Sequence, residues 1–176
     1  QAGIIAGDAD LVERCERHPL ARALRPGGLE LRALQDTALT YRDKRAATDI
    51  AFWRMVDRPV SELRHHAEAI VARLVDEFGV SSDDVWAAPL EALPGAGSAP
   101  GVTIASYGVV LRGNVLAGLR AAPTPIIARS RDDTTSLDLR TIDPIDPQTI
   151  VFAVARLFGS DHQPVEGRFE YRPDVP

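Results

Sequence analysis

The stretch PVSELRHHAEAIVARLVDEF, residues 59–78, decides the fold that we predict. Its apolar side chains recur at helical spacing and form one continuous stripe made of Val60, Leu63, Ala67, Ile70, Val71, Leu74 and Phe78. Proline is tolerated in the first turn of a helix, and Gly79 stands where a left-handed cap is favoured. The pattern therefore predicts a helix from about Pro59 to Phe78, with one face against a core.

Strand patterns follow this helix. Segment 83–101 predicts a strand and then an irregular loop rich in Pro, Gly and Ala, and VTIASYGVVL, residues 102–111, predicts a second strand. A short helix is predicted within NVLAGLRAA, residues 114–122. Next come two strands of a hairpin, PIIARS (125–130) and TSLDLRTI (135–142), joined by the turn RDDT.

Asp146 and Pro147 open a last helix, which Gly159 closes, and we assign residues 160–176 to a tail. From residue 57 the order is helix, strand, strand, short helix, strand, strand, helix. This order predicts an α+β domain in which helices cover one face of a mostly antiparallel sheet.

Shorter elements precede the predicted domain. AGIIAG, residues 2–7, predicts a strand buried on both sides of a sheet. Asp8 can cap a following helix that Pro19 ends or kinks, and Cys15 within it is interpreted as a buried or half-buried structural residue. A second helix is predicted over LELRALQDTALTYRD, residues 29–43.

The composition narrows the function classes. The 176 residues carry a net charge of −5, which argues against a simple polybasic surface for nucleic acid. A single cysteine excludes an internal disulfide and favours a reducing cytosol, and no apolar run reaches the length of a membrane span. Lys44 is the only lysine, so it is the only residue of this chain that could form a Schiff base.

The stretch RHPLARALRP, residues 17–26, holds the strongest candidate site. If the segment is helical, Arg22 and Arg25 lie on one face, and two guanidinium forks side by side suit a phosphate or a similar oxyanion. The alternative is a pair of solvated surface arginines. His18, next to Pro19, is a further candidate, and structural packing at the bend is its alternative role.

The other polar residues are weaker candidates for a functional site. Arg129 could face inward and meet an anion, or it could form a surface salt bridge. Asp138 alternates with Leu137 and Leu139, which places it on the solvent side of a strand. His65 and His66 are adjacent and point to different helix faces, and no paired metal-ligand spacing accompanies the single cysteine, so we predict no metal site.

Four stretches together resemble bacterial selenocysteine synthases, the L-seryl-tRNA(Sec) selenium transferases. They are QAGIIAGDADLVERCERHPLARALRP (1–26), LRALQDTALTYRD (31–43), FWRMVDRPVSELRHHAEAI (52–70) and PIIARSRDDTTSLDLRTIDP (125–144). The resemblance covers about residues 1–158 and is most specific in the HPLxRALR and LDLRT stretches.

The resemblance implies a C-terminal fragment of a fold-type-I pyridoxal-phosphate (PLP) enzyme. Residues 1–56 would be the last strand and helices of the PLP-binding large domain, and residues 57–159 the small α+β domain. The family's Schiff-base lysine falls upstream of Gln1, so we expect the isolated chain to be inactive. Arg22 and Arg25 fall where the family holds the phosphate or oxyanion of the selenium donor.

The expected function belongs to a longer parent protein. By resemblance, it converts seryl-tRNA(Sec) to selenocysteinyl-tRNA(Sec) with selenophosphate, in the cytoplasm and as a homo-oligomer, and its tRNA-binding N-terminal domain lies outside this chain. Two alternatives remain. One is a related PLP-dependent lyase acting on a phosphorylated amino sugar or amino acid, and the other is a non-catalytic assembly module.

Overall fold

The structure is a computed structural model that describes residues 3–95, 101–142 and 145–159. The chain divides into two compact units, Gln1–Arg54 and Met55–Pro176. The tail predicted for 160–176 lies outside the described residues. In the described ranges no helix combines the length and the apolar character needed to cross a membrane.

The first unit is built from short helices. They are α1 (Ala9–Arg17), α2 (Pro19–Ala23), α3 (Gly28–Arg42), α4 (Ala46–Asp49) and the beginning of α5 (Ala51–Asp57). The Asp8 carboxylate accepts the N–H groups of Asp10 and Leu11, so it caps α1 as predicted. Pro19 ends α1 and is the first residue of α2. Across these five helices, all within the described residues, no side chain is buried.

Two predictions for this unit are wrong. Residues 3–7 form neither helix nor strand, and Ile4 and Ile5 are 73% and 69% exposed. A strand needs a hydrogen-bonded neighbour, whereas the four strands of the described chain pair only with one another. Cys15 is exposed rather than buried, because α1 buries none of its side chains.

The second unit contains the predicted long helix, α6 (Val60–Phe78), and the remaining elements. Leu63, Ala67, Ile70 and Leu74 of its stripe are fully buried. Pro59 stands at its N-cap, and Gly79 ends it with φ 63° in the left-handed region, as predicted. The other elements are β1 (Val85–Ala92), β2 (Ile104–Arg112), α7 (Leu116–Arg120), β3 (Arg129–Arg131), β4 (Thr134–Asp138), a 3₁₀ helix (Leu139–Thr141) and α8 (Pro147–Phe158).

The sheet is antiparallel with strand order β1-β2-β4-β3. Helix α6 packs on β1 and β2, and α8 packs beside α6. Their apolar faces meet Val85, Val109, Leu111 and Leu137 in one core. The predicted α+β class and its antiparallel sheet are therefore confirmed.

The predicted hairpin is present but shorter. Asp132 and Asp133 form its tip with positive φ values of 49° and 56°, which suits a two-residue turn. The first strand begins only at Arg129, and the second ends at Asp138 instead of continuing to residue 142. It ends there because the Asp138 carboxylate accepts the N–H of Arg140 at 3.1 Å and caps a 3₁₀ turn.

Candidate functional site

Arg22 and Arg25 lie at the end of α2. Arg22 is in the last turn of this five-residue helix, whereas Arg25 follows its C-cap, Leu24. The helical premise of the predicted pair therefore holds for Arg22 alone, because the helix is too short to include both. Both side chains are exposed, so they are accessible to an anion from solvent.

Neither guanidinium forms an ion pair or side-chain hydrogen bond with another described residue. In the same unit, by contrast, four arginines are paired with carboxylates: Arg17 with Glu13, Arg32 with Asp36, Arg42 with Asp43, and Arg45 with Asp49. Unpaired guanidinium forks keep their donors for a ligand, and a phosphate oxyanion is the ligand that their geometry matches.

His18 holds the start of the helix that carries Arg22. It is the N-cap of α2, and its Nδ1 accepts the N–H of Leu20 at 3.2 Å. The imidazole therefore acts as a capping acceptor rather than as a packed side chain, since His18 is exposed.

Arg129 lies in the second unit and forms the predicted salt bridge. Its Nη2 lies 3.0 Å from Oδ2 of Asp138 and 3.3 Å from the carbonyl oxygen of Glu91. The prediction that Asp138 faces solvent is wrong, because the residue is only 6% exposed. Its other oxygen accepts the hydroxyl proton of Ser106 on β2, so strand alternation placed it on a face that these partners cover.

Arg140 was not among the predicted site residues, although its charged side chain is buried at 4% exposure. Burial lowers the pKa of its guanidinium, the Asp138 carboxylate raises it, and the nearby Arg58 guanidinium lowers it further. The signal was present in LDLRT, where Arg140 follows Asp138 by two residues and alternates with Leu137 and Leu139. Sequence spacing alone did not show which main-chain groups it would bind.

Lys44 does not fit a PLP site. PLP enzymes bind the cofactor through a lysine amine, and Lys44 is exposed just after α3 with φ 58°. A described cavity of about 210 Å³ between α7 and α8 has one charged lining residue, Arg156, and no lysine. Among the residues that the structure describes, no group of three or more His, Cys, Asp or Glu could hold a metal ion.

Comparison with known proteins gives one family. The family model of L-seryl-tRNA selenium transferases matches residues 1–143. An L-seryl-tRNA(Sec) selenium transferase of Aquifex aeolicus is 35% identical over 156 residues, 85% of this chain and 34% of that protein. The protein of the same name from Moorella thermoacetica is 33% identical over 170 residues, 92% of this chain and 36% of its own length.

A third relative, the L-seryl-tRNA(Sec) selenium transferase of Hyphomonas neptunium, is 35% identical over 161 residues, 87% of this chain and 34% of that protein. The chain thus spans about a third of the length of the curated relatives that it matches. The family match covers far more than half of the chain. The chain belongs to the L-seryl-tRNA selenium transferase family.

Proposed function

We propose that this chain is the C-terminal part of an enzyme that converts seryl-tRNA(Sec) to selenocysteinyl-tRNA(Sec), with selenophosphate as the selenium donor. The relatives named above carry the name of this activity. The enzyme acts as a cytoplasmic homo-oligomer and uses PLP. The Schiff-base lysine belongs to a segment outside this chain, since Lys44 does not fit that role.

The observation that carries the proposal is the pair of unpartnered arginines in HPLARALR, one of the two stretches that most specifically resemble the family. Arg22 and Arg25 are exposed, and neither has an ion-pair partner among the described residues. Two guanidinium groups can hold the phosphate of selenophosphate through charge-assisted hydrogen bonds. Their task is to bind and orient this anion. His18 supports them by capping the helix on which Arg22 lies.

The test is a transfer assay with the full-length parent protein. Purified protein, loaded with PLP, is incubated with seryl-tRNA(Sec) and selenophosphate, and selenocysteinyl-tRNA(Sec) is quantified. We expect product only when selenophosphate is present. Turnover of a phosphorylated amino sugar or amino acid without any selenium transfer would instead support the related lyase and reject the proposal.

A second candidate, a non-catalytic assembly module, is favoured by one observation. The helices of the first unit bury none of their side chains, and large apolar residues remain exposed, including Leu20, Leu24 and Leu29 at 61%, 78% and 85%. Exposed apolar surface of this kind is typical of an interface. Light scattering after size-exclusion chromatography tests it, because a monomeric 176-residue chain would argue against assembly through this chain.

A further inference from the structure

The guanidinium of Arg140 binds main-chain oxygens on two separate segments. Its Nε and Nη2 donate to the carbonyl of Ala105 on β2 at 3.1 and 2.8 Å. Its Nη1 lies 2.8, 2.9 and 2.8 Å from the carbonyl oxygens of Met55, Val56 and Arg58, which share its two protons. One buried side chain therefore joins the sheet to the end of α5.

A second arginine, Arg58, binds the main chain of the segment that carries Arg140. Its Nη1 lies 2.8 Å from the carbonyl oxygen of Ile142, next to the 3₁₀ helix that carries Arg140. Arg140 in turn binds the carbonyl of Arg58. The two arginines thus bind each other's main-chain segments, an arrangement that we call the arginine clasp.

The sequence explains why α5 needs such a donor. In a continuing helix the carbonyl of Met55 would accept the N–H of the residue four positions later, which is Pro59. Proline has no N–H, and it keeps the preceding Arg58 out of helical conformation. The last carbonyls of α5 are therefore left open, and Arg140 supplies the missing donors.

Helix α5 contains the boundary between the two units. The boundary between the two units falls between Arg54 and Met55, inside α5. The chain thus passes from the unit that carries Arg22 and Arg25 to the sheet through this helix. Arg140 therefore binds the first residues of the second unit, Met55 and Val56.

We propose that Arg140 is a positioning residue that fixes the last turn of α5 to the sheet. Lysine keeps the charge but has a single ammonium group, which cannot reach Ala105 and the α5 carbonyls together. Methionine keeps much of the side-chain volume and removes every donor. The effect should therefore be graded, with lysine between arginine and methionine.

The experiment is peptide-resolved hydrogen exchange on the full-length parent protein, with Arg140→Lys and Arg140→Met. Arg112→Met is the matched control, since Arg112 also binds a main-chain carbonyl, that of Asp83, but its side chain is 60% exposed. We expect exchange in residues 51–58 to rise about tenfold or more in Arg140→Met and less in Arg140→Lys. Peptides from the middle of α6 and the control variant should keep wild-type exchange.

The peptides from the middle of α6 separate this local effect from a general loss of stability, because a general loss would raise their exchange as well. Unchanged exchange in 51–58, or an equal rise of exchange in the middle of α6, overturns the proposal. If Arg140→Met does not fold, Arg140→Lys decides by the same criteria. Wild-type protein without selenium transfer would reject the proposed function, while hydrogen exchange would still decide the clasp.

Discussion

The guanidinium of Arg129 on β3 lies 3.0 Å from the carboxylate of Asp138 on β4. The Asp138 side chain is 3% exposed, whereas that of Arg129 is 52% exposed, so the pair runs from the interior of the sheet domain to its surface. Ser106 and the N–H of Arg140 occupy the other carboxylate oxygen. This carboxylate therefore connects three strands and the start of the 3₁₀ helix.

Asp138→Asn should destabilise the sheet domain by about 1.5–3 kcal/mol, because it removes the charge that binds Arg129 and turns one acceptor into a donor. Asp84→Asn is the control, since the Asp84 carboxylate pairs with Arg112 and its side chain is 36% exposed. It should cost about 0–1 kcal/mol. Urea unfolding of both variants measures the difference, and equal losses would contradict the assigned role of Asp138.

Gly108→Ala should destabilise the domain by about 3 kcal/mol. A Cβ at Gly108 would lie well under 3.0 Å from the main-chain oxygen of Leu137, and a strand backbone cannot move away without breaking its ladder. Gly118→Ala is the control, because the three atoms nearest to its Cβ would all belong to the flexible side chain of Leu157. Thermal unfolding should therefore show a much larger fall in Tm for Gly108→Ala, and an equal or smaller fall would be inconsistent with this packing.

Glu77 should make a small, pH-dependent contribution to stability. Its hydrogen bond to Arg73 lowers the pKa of the Glu77 carboxyl, and burial partly opposes this. A lowered pKa in the folded state means that the stabilisation is complete above the ordinary value of 4.5 and is lost as the pH falls through the folded value. The Tm difference between wild type and Glu77→Gln should therefore shrink below pH 4.5.

The double variant Arg73→Met, Glu77→Gln gives the control for this pH dependence. In the Arg73→Met background the Tm difference caused by Glu77→Gln should no longer shrink as the pH falls, because the partner that lowers the pKa of Glu77 is gone. A pH dependence that persists without Arg73 would assign the effect to another group.

The isolated 176-residue chain should form no specific PLP adduct. Lys44 is exposed, and it does not line the described cavity of about 210 Å³ between α7 and α8. Addition of PLP followed by borohydride reduction and mass spectrometry should give only substoichiometric labelling. A stoichiometric adduct at Lys44 would contradict the placement of the Schiff-base lysine outside this chain.

Local sequence signals were sufficient for α6, α8 and the turn of the hairpin. The α6 stripe, the cap at Gly79, the turn at Asp132 and the start of α8 at Asp146 each depend on residues within one turn or one pair of strands. Such local preferences depend on neighbouring residues, so they can be recognised in the sequence.

Long-range contacts could not be derived in the same way. Alternation placed Asp138 in solvent because it cannot reveal that Ser106 and Arg129 cover that face. The partners of Arg140 lie 35 to 85 residues away in the chain. For the candidate site, spacing suggested that Arg22 and Arg25 share a helix, but the short extent of α2 became visible only in the structure.

The most direct test of the proposed site compares Arg22→Ala and Arg25→Ala with Arg14→Ala in the full-length parent protein. Arg14 is also exposed and has no ion-pair partner among the described residues, so its substitution removes the same charge from the same unit. Each guanidinium that binds the donor phosphate contributes about 1.5–3 kcal/mol, so its loss should lower kcat/KM for selenophosphate about 10- to 100-fold. The account predicts this loss for Arg22→Ala and Arg25→Ala with wild-type kinetics for Arg14→Ala. Kinetics for all three variants that match wild type would contradict it.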